Sequence, residues 1–281
     1  MEGRVYHTAR NCPLMVGTGM VLAPSCANAK LRRTANFQMP YDMNNDFSER
    51  YEALRAVADR VIDTLEVYAH KKYGKDFFRL ARLCFPGRSA DGTIRHEELF
   101  LPWAVFGWSP PIEEQDLPED CDRDLPSGPL ALEWLKAEGV DAGDLAARFV
   151  HAATSALFRF LKIQGHDNGV MTLDDMLDPG IMLRMPAHEV PEMLRAGGMI
   201  FCHAVTVDGI TVSTHPPLDA SECTRDAANR AYFEDLLELM AAELRMSGPV
   251  RDGSGRRMLE NLLFMHARYC SNLPANGVSG P

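Results

Sequence analysis

Hydrophobic positions between residues 46 and 74 recur every three or four residues. Since residues three and four apart share one face of an α-helix, this spacing predicts a helix of about 27 residues. Asp46 and Glu49 have the form of an N-terminal capping box, although Ser or Thr usually stands first, and Gly74 is typical of a helix end. The stripe consists of Phe47, Tyr51, Leu54, Ala58, Val61, Leu65 and Tyr68.

Three later segments also have helical patterns. KDFFRLARLCFPG predicts a short second helix, which packs antiparallel to the first because the connection between them is short. PLALEWLKAEG predicts a helix with Pro129 at its first position and Gly139 just beyond its end. DAGDLAARFVHAATSALFRFLK continues with apolar residues at helical spacing, and the pattern changes near Phe158.

The segment HEELFLPWAVFGWSPP carries two tryptophans and two phenylalanines in sixteen residues. Surfaces that stack bases or planar ligands usually interleave basic residues with aromatic ones. No Lys or Arg lies between Arg95 and Arg123. The segment is therefore predicted to be a buried packing hub, in which Pro102 kinks or restarts the helix.

From Phe158 onward the pattern is that of short strands. Asn168-Gly169 and Asp208-Gly209 are dipeptides typical of tight hairpin turns. Five short strands within about 55 residues predict a small antiparallel barrel. A long helix follows over about residues 226–246, with a last short helix near the C-terminus.

The chain is therefore predicted to be an α+β protein, mostly helical, with a small antiparallel β-barrel inserted between long helices. Residues 1–44 are expected to form an irregular leader, and residues 45–157 a helical region. Residues 158–218 are expected to form the barrel, and residues 219–281 the C-terminal helices and tail.

Composition changes this picture little, but charge limits the partners. The chain has 281 residues, 46% hydrophobic and 24% charged, which is typical of a globular protein. Its net charge of -10 opposes nonspecific attraction to phosphate backbones and anionic lipids. We therefore expect no membrane partner. Nucleic acid is a weak alternative, through the basic leader residues Lys30, Arg32 and Arg33.

Seven cysteines are scattered along the chain without a C-x-x-C pair, which disfavours a zinc ribbon or a thioredoxin-type motif. Scattered, unpaired cysteines are typical of a reducing compartment. The stretch CPLMVGTGMVLAPSCA has small residues near a plausible signal-peptide cut, but glycines and prolines interrupt it. It is also too short to span a bilayer. These observations favour the cytoplasm.

Candidate chemistry concentrates near the predicted hairpins. His166, Asp167, Asp174 and Asp175 lie around turns at the barrel mouth, and with His203 they are our candidates for a catalytic site, such as that of a metal-dependent hydrolase. The loop lacks the alternating ligands of a calcium site. We therefore predict no metal or cofactor.

His188, His203 and His215 could meet if the barrel closes. Cys202 and His203 are neighbours in a strand, so their side chains point to opposite faces and form no dyad. A nucleophilic Cys202 would need an imidazole from elsewhere. A buried structural cysteine is the favoured interpretation.

No G-x-S-x-G, P-loop or H-E-x-x-H motif occurs in the sequence. We therefore predict a non-enzymatic interaction or adaptor module, which presents the barrel edge or a helical groove to a macromolecule, in the first instance a protein. An enzyme with its site at the barrel mouth is the alternative, and nucleic-acid association through the leader is the weaker one.

The order of YEALRAVADRVIDTLE, LFLPWAVFGW, LEWL and LRAGGMIFCHAVTVDG resembles the body of a poorly characterised group of bacterial proteins that often carry a SEC-C zinc motif. Over roughly residues 46–245, the resemblance implies a helical region with an F-x-x-W-x-x-F signature before a small barrel. The zinc tail of that group needs C-x-C followed by a Cys-Cys or His-Cys step. Cys270 stands alone here, so the zinc-binding part is missing.

Overall fold

Helices cover an antiparallel sheet in the part of the chain that the computed structural model describes, which makes the fold a mixed α+β one. All of these residues belong to one compact unit, Asp42–Pro281. The predicted leader lies outside the described residues, except that the first helix begins two residues before the expected boundary. The described residues are 43–88, 94, 96–110, 125–178, 180–190, 194, 197–224, 227–247 and 263–264.

The predicted helices are confirmed, with small shifts at their ends, except for the last short helix, which lies outside the described residues apart from positions 263–264. The first helix, α1, is Met43–Tyr73, and α2 is Asp76–Cys84. The next two after the tryptophan-rich segment are α4, Leu130–Glu138, and α5, Leu145–Ser155. Gly139 ends α4 with a φ of 62°, a left-handed conformation that glycine adopts without steric cost.

The tryptophan-rich segment forms α3, Glu97–Pro102, followed by a π-helical turn, Trp103–Gly107. The N–H of Trp108 donates to the carbonyl of Trp103 at 2.8 Å, which closes the wider turn. Pro102 has no N–H for the regular ladder, so the helix restarts there in another register. The predicted packing hub is confirmed: the Phe106 ring is fully buried, and both tryptophans are at most 3% exposed.

All of the strand pairs are antiparallel. Both predicted hairpin turns are confirmed, since Asn168 and Asp208 have positive φ and are each followed by a positive-φ glycine. The strands are β1 Phe158–Asp167, β2 Val170–Asp175, β3 Met182–Pro186, β4 Met199–Val207, β5 Ile210–Ser213 and the two-residue β6 Leu218–Asp219.

The predicted barrel is wrong, because the sheet is open. Its hydrogen-bonded order is β3-β2-β1-β4-β5, with β6 beside β4. The two edge strands, β3 and β5, contact each other, but within the described residues no ladder of hydrogen bonds joins them. Instead α1 lies against β5, and Arg55 Nη1 donates to the carbonyl of Ser213 at 2.6 Å. Closure needs edge-to-edge backbone bonds, and here a side chain takes one of the acceptors.

The sheet is buried on both faces, and alternate side chains belong to two different cores. On the face that meets the helices, Phe160 packs against Phe201, with ring centroids 4.7 Å apart. On the opposite face, Leu161, Ile163 and Ile200 belong to a second, aliphatic core. The sheet shields this second core by curving, since its edge strands approach each other.

The C-terminal part adds α6, Ala227–Ser247, and two described residues beyond it. Phe233 of α6 packs on Phe160, with ring centroids 4.9 Å apart, and Phe264 packs on Phe158 at 4.7 Å. Within the described helices, no stretch is both long enough and apolar enough to cross a bilayer.

The cysteines do not all behave as expected. Cys202 is a free thiol, but Cys223 is disulfide-bonded. The prediction that the cysteines are unpaired is therefore wrong for Cys223, whose bonding partner lies outside the described residues. The expectation of a reducing compartment relied on unpaired cysteines, and Cys223 does not meet that condition. The cytoplasmic location stays a prediction.

Candidate functional site

The two candidates at the first hairpin, His166 and Asp167, are exposed at the end of β1. In the β1–β2 ladder they stand opposite Met171 and Val170, next to the Asn168-Gly169 turn. Their positions follow from the tight turn, which carries them to the tip of the hairpin. The other three candidates lie in different surroundings.

Asp174 and Asp175 are neighbours in β2, so their side chains point to opposite faces of the sheet. Asp174 is half-buried and accepts a hydrogen bond from Gln164. Asp175 is 1% exposed, pairs with Arg159 and accepts the N–H of Leu177 at 2.9 Å. A buried carboxylate that is matched by a guanidinium and a backbone donor has its bonding requirements met locally.

His203 is buried on the helix-facing side of the sheet, opposite Phe158 in the ladder. Its Nε2 lies 3.1 Å from the carbonyl of Ala153, and its Nδ1 lies 3.0 Å from Thr214 Oγ1. Because a carbonyl only accepts, Nε2 carries a proton. The imidazole stacks on Phe106 with ring centroids 5.9 Å apart. His203 therefore joins α5 and the tryptophan-rich segment to β4.

Two of the three histidines that were considered together do meet. The backbone N–H of His203 donates to His215 Nε2 at 3.1 Å, and His215 Nδ1 donates to the carbonyl of Pro216 at 2.8 Å. Burial lowers the pKa of His215 to about 4, so the ring is neutral at pH 7. His188 is exposed and lies against the Tyr51 ring, with centroids 5.8 Å apart.

Cys202 is fully buried in the second core, on the opposite face from His203, as the strand alternation predicts. Burial raises the pKa of its thiol to about 12, although a hydrogen bond with Ser213 acts in the other direction. A thiol with such a pKa is protonated at pH 7 and is a poor nucleophile. The predicted burial of Cys202 is therefore confirmed.

The five catalytic candidates are therefore not brought together. They occupy a hairpin tip, two faces of β2 and the helix-facing side of β4. Within the described residues, no three His, Cys, Asp or Glu side chains are grouped as metal ligands. The nucleic-acid candidates Lys30, Arg32 and Arg33 lie outside the described residues, so that hypothesis stays a prediction.

A polar network that the sequence did not reveal joins α1 to the end of the sheet. Tyr51, one helical turn before Arg55, donates its hydroxyl to Glu189 in the short helical turn after β3. Arg55 lies 2.9 Å from Asp59 and 3.7 Å from Glu189, besides its bond to Ser213. Each charge in the network has an opposite partner, so the network serves to hold α1 in place.

A second unpredicted group, here called the Glu133 cluster, joins α1 to α4. It consists of Tyr68, Lys72, Tyr73 and Glu133. Glu133 accepts from Lys72 Nζ at 2.6 Å, from the Tyr73 hydroxyl at 2.6 and 2.7 Å, and from the Tyr68 hydroxyl at 3.0 Å. Burial alone would raise the pKa of Glu133, but these three hydrogen bonds together lower it below its ordinary value. The carboxylate thus has three donors, most of them at Oε1.

A groove lies between α1, α2 and α3, with a volume of about 310 Å³. Its floor is apolar: Phe100 is buried, and Phe78 and Leu101 are half-buried. Its walls carry charged or ionisable side chains from all three helices. The lining residues are Glu66, His70, Phe78, Arg82, Glu97, Phe100 and Leu101.

The side chains of the groove are arranged in two halves. In one half, Arg82 Nη1 lies 2.8 Å from both carboxylate oxygens of Glu97, and its guanidinium carbon lies 4.4 Å from the centre of the Phe100 ring. In the other half, the His70 ring lies against Phe78, with centroids 5.0 Å apart. The spacing of Phe78 and Arg82, one turn apart in α2, was the sequence signal for this face. It reveals nothing about the facing helices.

Comparison with family models, with curated proteins and with solved structures found no match to this chain. The resemblance to SEC-C-containing proteins therefore stays a prediction, and the site has to be interpreted from its own chemistry.

Proposed function

We propose that this protein is a binding module that holds a segment of a partner protein in the groove between α1, α2 and α3. The observation that carries the proposal is an apolar floor set beneath charged walls and open at the helical surface. Apolar floors provide affinity for an anchoring side chain, and polar rims orient the rest of the segment.

The size of the groove favours one or two side chains of a larger partner. A volume of about 310 Å³ is at the lower end of the range for small-molecule pockets, roughly 300–1,000 Å³. Val67 and Leu83 are 65% and 47% exposed, and each directly follows a lining residue in its helix. They add apolar surface to the two helices that form the walls, where a protein segment would continue beyond the groove.

The edge of the sheet is a weaker docking surface than the groove. A strand-adding partner needs free backbone donors and acceptors along an edge strand. At the end of β5 the Ser213 carbonyl already accepts from Arg55, and in the turn before β5 the Asp208 carbonyl accepts from Arg50 at 2.6 Å. The facing edge strand, β3, contacts β5. These contacts leave less of either edge available for pairing.

Site-specific photo-crosslinking in cells tests the proposal. A benzophenone side chain replaces Val67, which adjoins one wall, or Leu83, which adjoins the other, and Leu239 of α6, which is 70% exposed, is the matched control position. We expect both wall positions to crosslink to the same segment of the same protein, identified by mass spectrometry, and the control position not to do so.

A synthetic peptide of that segment provides the second measurement. It should bind the purified protein, and Phe78→Ala should weaken binding while the circular dichroism spectrum stays unchanged. Crosslinks from Leu239 alone, or a peptide whose affinity is the same for the Phe78→Ala variant, would refute the binding role of the groove.

A further inference from the structure

The lining of the groove includes one cation, the guanidinium of Arg82. Its guanidinium carbon lies 4.4 Å from the centre of the Phe100 ring, and Glu97 is its counter-ion. A cation above an aromatic face with a carboxylate at its side is a favourable arrangement for a guanidinium. The Arg82 half of the groove thus shows which chemistry this surface accepts.

The facing half offers the same pair of groups. Glu66 of α1 supplies a carboxylate, and Phe78 of α2 supplies a ring that already contacts the His70 imidazole, with centroids 5.0 Å apart. The Phe78 and Phe100 rings are neighbours, with centroids 6.3 Å apart. Phenylalanine has no hydroxyl, so neither ring donates a hydrogen bond to the carboxylates, and a cation that enters here has to share the Phe78 ring with His70.

The charge of the lining agrees with this chemistry. The ionisable groups of the lining are two carboxylates, Glu66 and Glu97, one guanidinium and the His70 imidazole, and the chain as a whole carries a net charge of -10. We infer that the groove binds an arginine side chain of the partner, stacked on Phe78 with Glu66 as its counter-ion, next to the resident Arg82. This inference rests on the proposed function, because the groove has to be the binding site.

Arginine is the occupant that fits, because its planar guanidinium stacks on a ring and donates in its own plane at the same time. The resident Arg82 competes with the incoming group for Phe100 and Glu97. Its pairing with Glu97 is exposed, 48% and 57% for the two side chains, so displacing it costs little.

A titration followed by NMR tests the inference on the purified full chain. The probes are N-acetyl-arginine amide and N-acetyl-citrulline amide, which has nearly the same shape without the charge. We expect the arginine probe to shift the amide signals of α1 and α2 around Glu66 and Phe78, and to bind about fivefold more tightly than the citrulline probe.

Two variants and one matched control assign the effect to its groups. Glu66→Gln should abolish the preference for arginine, while Glu52→Gln, an exposed glutamate elsewhere on α1, should leave it unchanged. Arg82→Met keeps an apolar stem and removes the competing cation, so it should tighten binding of the arginine probe severalfold. Equal binding of the two probes to the wild type, or a preference that survives Glu66→Gln, would overturn the inference.

The two proposals fail in different ways. A partner segment crosslinked from Val67 and Leu83 but bound equally well after its arginines are replaced by citrulline would leave the binding module standing and remove the arginine site. Absence of any segment crosslinked from both walls would remove the proposed function itself, whatever the small probes do.

Discussion

The Glu133 cluster and the groove lie on two flanks of α1 and use related groups to opposite effect. Each contains a carboxylate, aromatic rings and a cation. In the Glu133 cluster the rings are tyrosines, whose hydroxyls donate hydrogen bonds to Glu133. In the groove the rings are phenylalanines, which offer only their faces.

The comparison indicates that tyrosine rings occupy the carboxylate of the Glu133 cluster, whereas phenylalanine rings leave the carboxylates of the groove accessible. A tyrosine hydroxyl both donates to a carboxylate and fills the space beside it, which produces a clamp between α1 and α4. A phenylalanine floor leaves the carboxylates turned towards the outside, where a partner can reach them. We therefore expect substitutions in the cluster to affect stability and substitutions in the groove to affect binding.

The largest expected effect comes from Glu133→Ala. This change leaves the Tyr73 hydroxyl, the Tyr68 hydroxyl and the Lys72 ammonium without their shared acceptor, and it should lower the free energy of unfolding by about 3 kcal/mol. Urea denaturation measures it, with Glu138→Ala at the exposed end of the same helix as control. A loss below about 0.5 kcal/mol would mean that the cluster is not a clamp.

An acid titration of stability separates the cluster from the buried histidine pair. The pKa of His215 is lowered to about 4, so the unfolded chain binds a proton that the folded chain refuses. Stability from this group is complete above pH 6.5 and falls by about 3 kcal/mol as the pH drops towards 4. This dependence of the free energy of unfolding on pH should be present in the wild type and in Glu133→Gln.

The pKa of Glu133 is lowered too, so its contribution is present above its ordinary value of 4.5 and is lost as the pH falls through its folded pKa. The free energies of unfolding of the wild type and of Glu133→Gln, measured at a series of pH values, should therefore differ by an amount that shrinks only below pH 4.5. A difference that is constant down to pH 2 would contradict the charged hydrogen bonds of the cluster.

The smallest effects come from a matched pair of single substitutions. Tyr73→Phe gives the cluster the ring chemistry of the groove and removes one hydroxyl from Glu133, which should cost about 1 kcal/mol. Arg82→Met, in the groove, removes an exposed ion pair and should change the free energy of unfolding by less than about 0.5 kcal/mol. Thermal unfolding of both variants provides the comparison, and a reversed order would contradict the contrast between clamp and groove.

Local patterns predicted the elements well, because their causes are local. The stripe from Phe47 to Tyr68 repeats at helical spacing, so α1 follows from the chain itself. The Asn168-Gly169 and Asp208-Gly209 turns need positive φ at both positions, and these residue types tolerate it. The burial of the tryptophan-rich segment followed from its lack of basic neighbours.

The groupings of side chains could not be predicted in the same way. His203 and His215 are twelve positions apart in the sequence, and their contact depends on β4 and the segment after β5 lying side by side. Glu133 is sixty positions from Tyr73 and meets it only because α4 packs on α1. Proximity in sequence grouped His166, Asp167, Asp174 and Asp175, and the fold separated them.

The sequence by itself determined the α+β class, the order of the helices and strands, both hairpin turns and the buried tryptophan-rich segment, since periodicity and turn preference act over a few residues. Only the tertiary structure decided that the sheet stays open, that Glu133 accepts hydrogen bonds from two tyrosines and that a groove lies between α1, α2 and α3. Each of these depends on how elements that are distant in the chain pack together, and no local spacing encodes that packing.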